Sequence, residues 1–163
     1  MDEAQRSKIV LRILNKTYPK TPIPLKHRNF FTLLISVLLS AQCTDVNVNN
    51  VTKDIYPKYH KPKHFVKLGR RKIEKLIRRI GIFRIKAKSI YNLSKILVEK
   101  YNGKVPKTFK ELEELPGVGH KTASVVISQG FGQPAFPVDT HIHRLAQRWG
   151  LTNGKNVIQT EKD

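Results

Sequence analysis

The chain carries a single cysteine, Cys43, among 163 residues. One thiol makes no internal disulfide, which excludes a disulfide-stapled secreted scaffold. Nor can it build a zinc or iron–sulfur site from thiolates alone, so no metal ligands are assigned. Acidic residues are scarce: 12 Asp and Glu stand against 31 Lys and Arg, a formal charge of +19. No apolar run reaches the roughly 20 residues that a bilayer crossing needs. The longest, Phe30 to Ala41, is interrupted by Thr32, Ser36 and Ser40. The opening Met1-Asp2-Glu3-Ala4-Gln5-Arg6 lacks the apolar segment of a secretory leader. These absences predict a soluble intracellular protein with no membrane partner. A hydrophobic content of 39% is enough for a core, and the length fits one compact domain with or without an incomplete appendage.

The charge is concentrated. Between Lys58 and Lys100 there are 15 Lys or Arg against only Glu74 and Glu99. Such a density repels itself unless a polyanion is near, and counterion release makes DNA or RNA the natural counterpart. A solvated basic face is the plain alternative.

Apolar residues repeat with helical spacing throughout, and nothing alternates with a period of two, so the fold class is all-α. Ile9, Val10, Ile13 and Leu14 give a first helix, stopped by Pro19, Pro22 and Pro24. Phe30 to Ala41 is apolar nearly all round and reads as a buried central helix. Thr44 or Asp45 caps a helix with Val48, Val51 and Ile55 on one side. Ile73, Leu76, Ile77 and Ile80 predict a helix ending at Gly81, and Ile90, Leu93, Leu97 and Tyr101 another ending at Asn102-Gly103. Thr108 and Glu111 form a capping box. Pro116-Gly117-Val118-Gly119 is a tight hairpin leading into a helix from His120 to Ser128. Asp139 stands at the N-cap of a helix carrying Ile142, Leu145, Ala146 and Trp149, and Asn156 opens a last one.

The stretch from Leu115 to Arg144 carries the chemistry. Gly117 and Gly119 permit positive φ and close approach of another backbone. The N–H groups of such a corner attract phosphate, whereas an ordinary Gly-rich helix–turn–helix is the alternative. Lys121 falls in the first turn of the following helix. That end of the helix dipole disfavours an ammonium, and a free amine is a nucleophile, so Lys121 is a Schiff-base candidate; a simple phosphate contact is the other reading. Asp139 is explained as an N-cap, or, if it faces Lys121, as a proton acceptor or a counter-charge to a reacting sugar.

Leu115-Pro116-Gly117-Val118-Gly119-His120-Lys121-Thr122-Ala123, followed by Val138-Asp139-Thr140-His141-Ile142-His143-Arg144, resembles the endonuclease III family of DNA glycosylases. Leu38-Leu39-Ser40-Ala41-Gln42-Cys43-Thr44-Asp45 and Ile80-Gly81-Ile82-Phe83 with Lys86-Ala87 extend the resemblance. It implies the helix-hairpin-helix DNA glycosylase fold, with a six-helix barrel domain and an incomplete second helical domain. It also implies a base-excision-repair glycosylase with AP-lyase activity. Lys121 would attack C1′ of an extruded nucleotide and displace an oxidised pyrimidine; the imine would then lose the 3′ phosphate by β-elimination. Asp139 would activate Lys121. Gln42 would fill the gap left by the flipped base, and Ile82 would wedge the opposite strand, against the readings of a polar helix end and a core residue. Gly117, Val118, Gly119, His120, Thr122 and Arg144 would meet the DNA backbone. Asp45 and His141 would line the base pocket, although Asp45 also suits a cap and His141 a helix surface. The implied partner is double-stranded DNA with a damaged base or abasic site, bound by a monomer that is cytoplasmic and nucleoid-associated if bacterial.

The chain departs from the family in one respect. Relatives usually continue into a segment whose four cysteines hold a [4Fe–4S] cluster, so no cofactor is expected in this chain, and the cluster only if the chain continues as in the family. The domains expected are 1–25, an N-terminal helix and linker belonging to the second domain; 26–134, the helical barrel with the helix-hairpin-helix at about 108–128; and 135–163, the truncated start of the second domain's C-terminal part. The apolar faces of that half are expected to be under-packed. A non-catalytic helix-hairpin-helix module, or an inactive fragment of such an enzyme, is the competing reading.

Overall fold

The computed structural model describes all residues, Met1–Asp163. The helices are α1 (Glu3–Thr17), α2 (Phe30–Ser40), α3 (Asp45–Thr52), α4 (Pro62–Leu68), α5 (Arg70–Leu76), α6 (Phe83–Lys100), α7 (Phe109–Glu113), α8 (His120–Val125), α9 (Thr140–Arg148) and α10 (Val157–Lys162), with a π-helical turn at Val126–Gly130. They form two compact units, Pro24–Ala135 and, separately, Met1–Ile23 with Phe136–Asp163.

The first unit is built on α2. Every residue from Phe31 to Leu39 is buried, because the helix is apolar on all sides and other elements cover it. α3, α6, α8 and the π-helical turn all pack on it, and α4 and α5 pack on α6. Leu33, Leu34, Ile73, Ile90, Leu93, Leu97 and Leu112 are fully enclosed, each contributing about 1.5–3 kcal/mol by burial. Several polar groups inside are paired, whereas Ser94 Oγ and His60 Nδ1 have no hydrogen-bond partner. Asn29 and Thr32 form a capping box at the start of α2. The Tyr56 hydroxyl shares a 2.6 Å hydrogen bond with Ser36 Oγ and donates to the Thr32 carbonyl at 3.1 Å.

Two sequence expectations change here. The helix predicted through Ile73 and Ile80 is shorter. α5 ends at Leu76, and Ile77 and Ile80 are buried from the turn that follows. A separate helix, α4, precedes it across Gly69, whose φ of +77° breaks the axis. The capping box at Thr108 is only half made: Thr108 Oγ1 accepts from Glu111 N–H, but the Glu111 carboxylate takes the Thr108 hydroxyl instead of the backbone N–H.

The second unit is sparsely packed. Asp2 and Gln5 close a capping box on α1, yet neither α1 nor α9 buries a residue. Ile13 and Trp149 are 56% and 41% exposed. A cavity of about 600 Å³ opens between Ala4, Phe136, Ile142, Ala146 and Leu151. The unit is tied by side-chain hydrogen bonds such as His143 with Thr160, 2.6 Å from Nδ1 to Oγ1, and Thr152 Oγ1 to Asp163 Oδ2 at 2.5 Å.

Candidate nucleic-acid interface

The hairpin joins α7 to α8. Val118 N–H donates to the Leu115 carbonyl at 3.1 Å, which closes the turn. Gly117 sits at φ +77°, and a Cβ there would lie 2.7 Å from Ser89 Cβ and 3.2 Å from Leu38 Cδ1. Glycine is needed on both counts, conformation and close approach. Gly119 differs from the expectation: its φ is −90°, and nothing lies within 4 Å of the place a Cβ would take. It leaves open space at the mouth of α8 instead of serving a left-handed turn. Val118 also differs, since its side chain is 6% exposed and its N–H is used in the turn. It packs the hairpin and does not present a side chain to a partner.

Lys121 is exposed in the first turn of α8, and Thr122 beside it is half-buried. His120, also exposed, is held from two sides. Its Nδ1 lies 2.6 Å from Glu113 Oε1, and its ring stacks on Phe109 with centroids 5.1 Å apart. Glu113 and Phe109 are supporting residues that sequence reasoning missed; their spacing on α7 marks them only once the hairpin geometry is known.

The other predicted contact residues of this unit lie in two strained turns. Gln42, exposed just beyond α2, has φ +56°, and Ile82, 54% exposed before α6, has φ +50°. Ile82 is therefore not the core residue that its position after Gly81 allowed. A left-handed conformation costs a non-glycine residue about 1–2 kcal/mol. Thr44, not Asp45, caps α3; Asp45 is the first helical residue and is half-buried. Lys86 was missed. It is the one buried member of the Lys58–Lys100 cluster, 4% exposed, and Nζ donates to the Leu39 carbonyl at 2.9 Å and the Ala41 carbonyl at 2.6 Å. Burial pushes its ammonium below the usual lysine range, with Cys43 opposing. A signal existed: Lys86 shares the stripe of Ile90, Leu93 and Leu97 on α6. The remaining basic residues of that cluster are exposed.

In the second unit Asp139 is half-buried and caps α9, its Oδ1 accepting from the N–H groups of His141 at 3.0 Å and Ile142 at 2.9 Å. His141 and Arg144 are exposed, with Arg144 Nη2 3.2 Å from His141 Nδ1. No cluster of three or more His, Cys, Asp or Glu could hold a metal ion, and Cys43 is a lone half-buried thiol hydrogen-bonded by Asn47. The residues present do not fit an iron–sulfur cluster. No helix is long and apolar enough to cross a membrane.

Residues 35–163 match the family model described as "HhH-GPD superfamily base excision DNA repair protein". The chain is 42% identical over 161 residues to endonuclease III of Rickettsia prowazekii (strain Madrid E), covering 99% of this chain and 76% of the relative. It is 45% identical over 146 residues to endonuclease III of Bacillus subtilis (strain 168), covering 89% and 67%. Among solved structures, a trapped endonuclease III–DNA covalent intermediate matches with a TM-score of 0.88 and 44% identity, covering 99% of this chain and 76% of that one. A thermostable thymine-DNA glycosylase, 24% identical with a TM-score of 0.80 over 98% of this chain and 78% of that one, shares the fold.

Proposed function

The chain belongs to the endonuclease III family and is a base-excision-repair DNA glycosylase with AP-lyase activity acting on DNA, and from that premise we propose that it removes oxidised pyrimidines through a Schiff base on Lys121. The sugar C1′ is out of reach within a stacked duplex, so the damaged nucleotide must be extruded first. Lys121 Nζ then bonds to C1′ as the glycosidic C–N bond breaks and the base leaves. The ring opens to an imine, a proton departs from C2′, and the 3′ phosphate leaves by β-elimination. Asp139 takes the proton that the amine must lose and offsets positive charge at the sugar. Asp45 and His141 recognise the extruded base.

The observation that carries this reading is the hairpin itself. Gly117 locks the turn against Ser89, Gly119 leaves open space, and the exposed Lys121 follows two residues later. A phosphate backbone can approach that corner without a side chain in its way, with His120 and Thr122 as further contacts, and Arg144 of the other unit is a separate backbone contact. Gln42 and Ile82 are exposed side chains on left-handed turns, free to enter a base stack as inserted side chains do in other proteins that unstack DNA. The partner is a duplex with a damaged base or abasic site, met by one copy of the chain. The charge of +19 supports residence on chromosomal DNA.

Borohydride reduction of the protein on abasic-site DNA tests the proposal. A covalent adduct that Lys121→Ala abolishes is expected. An adduct that survives Lys121→Ala, or tight binding with no adduct from the unaltered chain, refutes the assignment of Lys121.

A further inference from the structure

Lys86 is buried, its ammonium is bonded to carbonyls at the end of α2, and it stands in the first turn of the helix that Ile82 caps. A peptide plane adjoining each left-handed residue is held by this one side chain or its own backbone. On one side, Nζ donates to the Ala41 carbonyl at 2.6 Å. That carbonyl belongs to the peptide plane joining Ala41 to Gln42, the plane from which the φ of Gln42 is measured. On the other, Ile82 caps α6 and its carbonyl takes the first backbone bond of that helix, from the N–H of residue 86 at 3.2 Å; any residue but proline would make that bond, so the side chain reaches the Ile82 turn only through the helix start that Ile82 caps. Nζ also takes the Leu39 carbonyl at 2.9 Å. Thus a cation sits against the orphaned C-terminal carbonyls of α2, where the helix dipole favours it. The two turns are neighbours, since a Cβ on Gly81 would lie 3.9 Å from the Gln42 carbonyl oxygen. Asn47 adds a second tie, donating to the Arg79 carbonyl at 3.1 Å.

We propose that Lys86 is a positioning residue that locks the Gln42 and Ile82 turns into one pair, so that both side chains enter the duplex together. The lock acts through the two exposed residues and makes no contact with DNA. It rests on the reading of Gln42 and Ile82 as inserting residues, and the test separates the two. The full chain is bound to a duplex carrying a tetrahydrofuran abasic analogue with 2-aminopurine opposite it. The fluorescence amplitude at saturation reports unstacking and needs no chemical step, while the titration gives Kd separately.

Lys86→Met keeps the apolar stem and removes the donors. In an otherwise unaltered chain it is expected to cut the amplitude about threefold, and in a Gln42→Ala/Ile82→Ala background by less than about 1.3-fold, because residues acting through one another are not additive. An equal loss in both backgrounds, or no loss in either, overturns the positioning role. A Gln42→Ala/Ile82→Ala amplitude equal to that of the unaltered chain overturns the insertion reading and the positioning role with it. Lys86→Arg, which retains a cation and N–H donors, is measured alongside. It is expected to recover most of the amplitude, and it carries the same cycle if melting shows that Lys86→Met does not fold.

Discussion

Replacing Gly117 by alanine separates the structural part of the hairpin from its DNA-binding part. Two costs add. Alanine at φ +77° adopts the left-handed region at about 1–2 kcal/mol. The new methyl would also lie 2.7 Å from Ser89 Cβ and 2.8 Å from Ser89 Oγ. Ser89 lies within the regular backbone of α6, so its Cβ cannot swing aside as a long side chain would; either α6 or the hairpin must shift, and overpacking of this kind costs about 1–3 kcal/mol. Leu38 Cδ1, at 3.2 Å, adjusts by rotation. The expected destabilisation is therefore about 2–5 kcal/mol.

Urea unfolding of the four members of a Gly117→Ala, Ser89→Gly cycle measures this directly. Ser89→Gly alone lowers stability by about 0.5 kcal/mol, because it replaces a residue of intermediate helix propensity by glycine inside a helix. Combined with Gly117→Ala it should restore about 1–2 kcal/mol beyond additivity, the overpacking share, and leave the backbone share in place. A loss below about 1 kcal/mol for Gly117→Ala, or strict additivity in the cycle, refutes the claim that the Gly117 backbone is packed directly against the Ser89 side chain.

Gly119→Ala is the contrasting case: with φ −90° and open space around the new methyl, stability should change by less than about 0.5 kcal/mol, while DNA affinity falls if a phosphate uses that space. Paired melting and fluorescence-anisotropy titrations check it, and unchanged affinity would place the phosphate elsewhere. Tyr56 supplies a pH dependence. Burial raises its phenol well above the ordinary value of 10, against a smaller lowering by its hydrogen bond with Ser36. Its contribution is complete below pH 10, where folded and unfolded chains both hold the proton, and is lost as pH rises beyond that value and only the unfolded chain ionises. Urea midpoints measured from pH 8 to 11 should fall at the alkaline end, and Tyr56→Phe should flatten that fall; an identical slope in the variant would exclude Tyr56 as its source.

Much of the fold was legible because burial and period coincide. α2 has too few polar residues to face water anywhere, and α6 repeats Ile90, Leu93 and Leu97 on one stripe. Caps made by side chains were equally visible: Asp139 before α9 and Asn156 before α10 each accept N–H groups of the first turn. What misled was a run whose spacing outlasts its helix. Ile77 and Ile80 continue the spacing of Ile73, but a turn after α5 buries them just as well. Periodicity reports which side chains face inward and says little about where the backbone hydrogen bonds stop. α4 escaped for the opposite reason: with Lys61, Lys63 and Lys67 around it, only Pro62 and Phe65 turn inward, too few to show a face.

Backbone strain was invisible for a deeper reason, and it does not by itself mark function. Three non-glycine residues have positive φ: Gln42, Ile82 and Asn102. Asn102 ends α6, where the Gly103 N–H reaches back to the Leu97 carbonyl at 2.7 Å, and asparagine tolerates that conformation through its short polar side chain. Its strain is the ordinary cost of stopping a helix. Gln42 and Ile82 have no such excuse, since a β-branched residue and a long amide are poor choices for a left-handed turn. Glycine would be cheaper at both positions if the turn alone mattered. What glycine would lack is a side chain pointing outward, and the turns are held instead of relaxed by substitution, the Gln42 turn by the buried Lys86 ammonium and the Ile82 turn by the first backbone bond of α6. The combination of an unsuitable residue, an exposed side chain and an internal brace is therefore what separates Gln42 and Ile82 from Asn102. No single position in the sequence displays it, because the brace comes from a helix that begins some forty residues after the first turn it holds.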